Sequence, residues 1–187
     1  MKSDYKLRLL IALFWLLVIY IFLPFTPDVI NLLFRRLGSY YVKALFVLLS
    51  IIGTACVYLP FVSKFRKRKP GALFAATFVL VAAGIVNIFL MSIPAQMLHI
   101  PEYAVLAVFL YRAFTLEYGR KKGLFLSTVT GITAGIIDER IIQYVLPTRY
   151  YNIEDVLLNI AGIITGVVLI SIYRCDEVNH ADSSAAR

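Results

Sequence analysis

The chain has 187 residues, 60% of them hydrophobic and 16% charged, with a mean hydropathy of +0.81. A soluble domain of this length has no core large enough to use that much apolar surface, so composition excludes the water-soluble class and places the chain in a membrane. The net charge of +8 collects in short clusters between apolar runs, "KFRKRK" at 64–69 and "GRKK" at 119–122. That is the pattern of cytoplasmic loops and not of a nucleic-acid face, so no nucleic-acid partner is expected.

The first element joins basic residues (Lys2, Lys6, Arg8) to an apolar run from Leu9 to Leu23. No small-x-small cleavage site follows, so the run reads as an uncleaved transmembrane helix and not as a secretion signal. Pro24 and Pro27 close it. The stretch at about 28–41 is too polar to span and predicts an amphipathic helix lying in the interface. Further spans are predicted over 41–62, 71–93, 99–117, 123–146 and 153–173, each near the ~20 residues a bilayer core requires. Pro70-Gly71 opens the third span, Pro94 and Pro101 punctuate entry to the fourth, and Pro147 ends the fifth.

The expected fold is therefore all-α, a polytopic membrane bundle of about six transmembrane helices. With the basic loops inside, both termini are cytoplasmic; Arg35 and Arg36 fall outside and are outnumbered. Three regions follow: 1–98, with three spans and the interfacial helix; 99–173, with three spans and most of the polar residues; and a polar cytoplasmic tail over 174–187, read as mobile. Cys56 and Cys175 suggest no disulfide framework. With His99 and His180 as the only histidines, a multi-histidine metal site within one chain is excluded. No metal and no cofactor are expected.

The fifth span carries Ser127, Gly131, Gly135, Glu139 and Gln143 at steps of four, which places them along one slowly drifting helix face. Its lower part is a small-xxx-small stretch that lets a neighbouring backbone approach, while its upper part presents a carboxylate and an amide. Asp138 and Arg140 flank that face, each turned about 100° from Glu139 at ~3.6 residues per turn. Asp138 follows Gly123 by fifteen residues, about 22 Å at ~1.5 Å per residue, which puts it in the outer half of the bilayer. The sixth span repeats the design with Asp155, Asn159, Gly162 and Gly166, polar above and small below. Fifth and sixth spans, joined by "PTRYY", are expected to pack as an antiparallel hairpin with Arg149 at its mouth. His99, Glu102 and Tyr103 lie within one turn at the outer end of the fourth span, and Arg112 lies deeper.

Such charges are satisfied pairs that lock helices together, or they line a polar pocket. A charged side chain in mid-span costs about 2.5–3.5 kcal/mol, whereas hydrogen bonds between membrane helices return only ~0.6. Glycine faces already supply close packing. That cost favours the pocket, with Glu139 as its most informative residue and Asp138 and His99 as the other acid–base candidates.

"LHIPEYAVLAVFLYRAF" followed by "IIDERIIQYVLPTRYYNIEDVLLNIAGIITG" resembles the VanZ-like family of bacterial membrane proteins. The matching positions are His99, Glu102, Tyr103, Asp138, Glu139, Gln143, Pro147, Arg149, Asp155, Asn159, Gly162 and Gly166, about 40% of the chain from first to last. "LPFTPD" after the first span is similar too. Two departures are visible: spans two and three look like an extra hairpin, and the turn reads Pro-Thr-Arg where the family commonly has Pro-Gly-Arg. The resemblance implies a multi-pass protein of the bacterial cytoplasmic membrane, in a family whose namesake is associated with resistance to the lipoglycopeptide teicoplanin. Combined with a polar pocket at the outer leaflet, it leads to an expected partner: a membrane lipid or lipid-linked envelope molecule, or a glycopeptide antibiotic. Glu102, Tyr103, Glu139, Gln143, Arg149, Asp155 and Asn159 are the expected ligand-binding residues. Gly131, Gly135, Gly162 and Gly166 are the expected packing residues. Rival readings are a membrane-embedded enzyme using paired carboxylates, a small transporter and a purely structural protein; binding without catalysis is the reading preferred.

Overall fold

The structure, a computed structural model, describes residues 2–22, 25–38, 40–41, 43–45, 47–48, 51–52, 70–142 and 152–185. Its regular elements are all helical, with no strand among the described residues. Helix α1 is Lys2–Phe22 and α2 is Thr26–Leu37. The described residues between 40 and 52 are helical as well, and the remainder of the predicted second span lies outside the described residues. Helix α3 is Pro70–Leu90, and a 3-10 turn, Pro94–Leu98, leads into the helical run His99–Ile137. A π-helical turn, Asp138–Ile142, and a last helix, Ile153–Ala185, complete the order.

Four helical segments are long and apolar enough to cross a membrane: Asp4–Phe22, Gly71–Leu90, Gln96–Arg140 and Ile153–Tyr173. The third has 45 residues, and a straight helix of that length would measure about 68 Å, twice a bilayer core. It is not straight. Gly119 has φ 75° and ψ 174°, a combination essentially restricted to glycine, and it divides the run into α4 (99–118) and α5 (120–137). A Cβ on Gly123 would lie 2.8 Å from the Thr115 nitrogen, although eight residues of helix would separate the two by about 12 Å. The chain therefore reverses at Gly119, and α4 and α5 form an antiparallel hairpin of two bilayer-length arms. The last helix is α6.

Helix α6 lies against both arms, antiparallel to α5 and parallel to α4. Gly131 meets Ile163 and Gly135 meets Asn159 on the α5 side; Gly162 meets the Ile100 carbonyl and Gly166 the Ala104 carbonyl on the α4 side. The glycine face predicted for α6 thus serves α4, while the one on α5 serves α6. Helix α1 docks on the hairpin: Trp15 Nε1 donates to the Glu102 carbonyl at 3.0 Å, and Tyr20 Oη to the Ala134 carbonyl at 3.0 Å. Ala12, Ile19, Leu106, Leu110, Ala134 and Ile163 form the apolar centre where these four helices meet. Helix α3 packs on α6 through Ala83 and Leu158 and leaves Phe74, Phe78 and Phe89 exposed, as a lipid-facing helix does.

Near its start α1 touches the α4–α5 turn, with the Tyr5 and Tyr118 rings 6.3 Å apart. Lys6 and Arg8 therefore share one end of the bundle with Arg120, Lys121 and Lys122. We call this the basic end. The starts of α4 and α6 and the finish of α5 define the opposite, polar end.

The predicted interfacial element is α2. Twelve residues give only about 18 Å of helix, too short to span. Gly38, at φ 56°, ends it by donating its N–H to the Phe34 carbonyl at 2.8 Å. At the other extreme of the chain, the polar segment 174–185 continues α6 as helix beyond the apolar stretch.

Candidate functional site

Three local structures build the polar end. Asn152 caps α6: its Oδ1 accepts the Glu154 N–H at 3.0 Å, which fixes the helix start and sets Glu154 and Asp155 in the first turn, where the helix dipole favours acidic groups. The 3-10 turn after Pro94 is organised by Gln96, whose Oε1 accepts the Ser92 and Ile93 N–H groups. Its Nε2 donates to Asp155, and the Ser92 hydroxyl donates to Glu154, so this corner is tied to the first turn of α6. Asn87 on α3 donates to the Met97 carbonyl at 3.2 Å and holds the same corner from below. The third structure is the π turn at Asp138–Ile142, a widened turn of the kind that collects at functional sites.

These devices bring together side chains that are distant in sequence. Tyr103 donates its hydroxyl to Asp138 Oδ2 at 2.8 Å, across the α4–α5 hairpin. His99 Nε2 lies 3.9 Å from Asp155 Oδ2. Asn159 donates through Nδ2 to the Gly135 carbonyl at 3.3 Å. One ligand atom each from His99, Asp138 and Glu139 lies within 4.8 Å of the others, and the three residues are buried, at 7%, 1% and 3% exposure. All three have further polar contacts as well. Two carboxylates and an imidazole thus converge in a water-poor setting, where each can take or give a proton or share a cation.

The predicted residues that the structure describes have definite places. Glu139 is buried on the α5 packing face, in line with Gly131 and Gly135. Asp138, expected beside that face, is buried too, because α4 fills the direction 100° away and Tyr103 meets it there. Arg140, the third of the run, is exposed, and so is Arg112 on α4. Tyr103 and Asn159 are fully buried. Glu102 and Asp155 are half-buried. Gln143, Pro147 and Arg149 lie outside the described residues.

Sequence reading missed Gln96, which is 1% exposed and is the hub of the α3–α4 corner; a glutamine two residues after a turn-forming proline was the only signal it left. It also missed the convergence of His99 with Asp138 and Glu139. These are 39 and 40 residues apart, and no local spacing announces such a pair.

Toward the basic end the polar side chains do something different. Thr128, Thr165 and Ser171 donate to the carbonyls of Leu124, Ala161 and Val167, each four residues earlier in the same helix. Their hydroxyls are spent on their own backbones. The arrangement sets a polar end over a half in which these hydroxyls are bonded to their own helices.

Comparison of the chain with protein-family models, with curated proteins and with solved structures returns no match.

Proposed function

We propose that this chain is a VanZ-like multi-pass protein of the bacterial cytoplasmic membrane, with about six spans and both termini inside, that engages an amphiphilic, lipid-linked envelope molecule at the outer leaflet. The observation that supports the reading is the separation of the two ends. Lys6, Arg8, Arg120, Lys121 and Lys122 gather at one end, which the positive-inside rule assigns to the cytoplasm. His99, Glu102, Asp138, Glu139 and Asp155 gather at the other. An outward-facing polar cluster reaches the leaflet where lipid-linked wall precursors and lipoglycopeptides reside. In this reading Arg149 meets an anionic headgroup, and Glu139, Asp138 and Asp155 hydrogen-bond it or shuttle protons.

The test compares teicoplanin and vancomycin susceptibility in cells with and without the protein, and with Glu139→Gln and Arg149→Ala variants at equal membrane level. Protection that is stronger against teicoplanin, and that falls most with Arg149→Ala, is the expected result. Equal susceptibility in all strains would remove the glycopeptide ligand from the reading.

The closeness of His99 to Asp138 and Glu139 favours a second reading, acid–base catalysis on a lipid-linked substrate. It separates cleanly from binding: a catalyst loses its activity with Glu139→Gln while inserting normally, whereas a binder tolerates that change better than loss of Arg149.

A further inference from the structure

We propose that His99, Asp138 and Glu139 hold a divalent first-row cation, Zn2+ or Mn2+, between the ends of α4 and α5. The donor set is one imidazole nitrogen and two carboxylates, which suits these ions better than the all-oxygen preference of Mg2+ or Ca2+. Geometry agrees. Ligands at ~2.1 Å from a shared ion lie roughly 3–4 Å apart, and the three ligand atoms lie within 4.8 Å of one another, a gap that side-chain rotation closes.

Charge points the same way. Two neighbouring carboxylates at 1% and 3% exposure are costly when both are ionised, and a dication neutralises the pair outright. A single shared proton would neutralise only one of them. The charged groups around the trio are Asp155, beside His99 on α6, Glu102 on α4 and the exposed Arg140 on the π turn.

An independent observation comes from α6. Asn159 is fully buried, and its Oδ1 has no hydrogen-bond partner among the described residues. Its Nδ2 is anchored on the Gly135 carbonyl, and a helical carbonyl points along the axis toward the residue four ahead, here Glu139. The carboxamide is therefore anchored on the turn that leads to the two carboxylates, and its Oδ1 would serve as a neutral fourth donor, the third oxygen of the set. Asp155, 3.9 Å from His99 Nε2, stands where an outer carboxylate orients a metal-bound imidazole.

The site is tested on the full chain in nanodiscs, purified without a metal-charged resin, stripped with chelator and titrated with Zn2+, Mn2+, Mg2+ and Co2+. The expected result is one equivalent of Zn2+ or Mn2+ per chain at micromolar affinity or tighter, with visible Co2+ absorption bands of a nitrogen–oxygen site. His99→Gln, Asp138→Asn and Glu139→Gln should each weaken binding by about 100-fold, since loss of an outer-shell partner alone costs roughly 10–100-fold. A Cys175→Ser/His180→Ala double variant removes the thiol and imidazole of the C-terminal segment and should keep the equivalent. Asp138 also accepts from Tyr103, so Tyr103→Phe removes an outer-shell partner and should keep the one equivalent with affinity lower by about 10-fold, less than any ligand variant. The proposal fails if the monodisperse wild-type protein takes up neither Zn2+ nor Mn2+ saturably. It fails equally if the three ligand variants bind as wild type does, or if the double variant loses the metal. Antibiotic susceptibility plays no part in these readouts, so the site and the outer-leaflet reading stand or fall separately.

Discussion

The interface among α4, α5 and α6 is built in two ways along its length. Away from the polar end it is close glycine contact: Gly166 against the Ala104 carbonyl and Gly131 against the Ile163 side chain. Toward the polar end it is ionisable groups: Tyr103 on Asp138, His99 beside Asp155, and Glu139 buried between. The first manner is sufficient to assemble helices in lipid, where close van der Waals contact replaces the hydrophobic drive. The second is expensive, because each buried charge costs several kcal/mol and interhelical hydrogen bonds return less than one on average. A bundle that can hold itself together cheaply at one end and still keeps costly groups at the other has a use for them beyond cohesion.

That contrast breaks hardest at Gly166. A Cβ there would sit 2.3 Å from the Ala104 carbonyl oxygen, a backbone atom that cannot rotate away. Gly166→Leu is expected to cost about 3 kcal/mol or more and to abolish a monodisperse peak in detergent. Gly119→Ala comes next, at about 1–3 kcal/mol, because the reversal between α4 and α5 needs a conformation that alanine avoids; a lowered thermal midpoint checks it. Tyr103→Phe deletes one hydroxyl from the polar end and should cost about 0.6–1.7 kcal/mol, read as a small shift in the thermal midpoint. A cost near that of Gly166→Leu would show that the polar end is itself the main clamp and would undo the comparison. Gly84→Ala on α3, where nothing lies within 4 Å, should stay within about 0.5 kcal/mol of wild type.

Much of this was legible in the residues. Steps of four in "STVTGITAGIIDER" put Gly131, Gly135 and Glu139 on one face, and all three are buried on it. Asp155, Asn159, Gly162 and Gly166 likewise follow the helical period on α6. The expected hairpin partner for both faces was a single one, α5 with α6. The third helix changed that: α4 takes Gly162 and Gly166, and it buries Asp138 through Tyr103. Periodicity reports which residues share a face, not how many helices surround it, so a residue 100° off the main face looks peripheral until a second neighbour occupies that side.

By itself, then, the sequence determined the helical class, the membrane-spanning lengths, the position of the reversal beside Gly119 and the faces of α5 and α6. These follow from hydropathy, glycine placement and a period of ~3.6, all of them local. Only the tertiary structure decided which face meets which helix, that Gln96 ties α3 and α4 to α6, and that His99 comes within ligand distance of Asp138 and Glu139. The physical reason is that such meetings depend on how rigid helices pack edge to edge in three dimensions, and no window along the chain spans the 39 residues from His99 to Asp138.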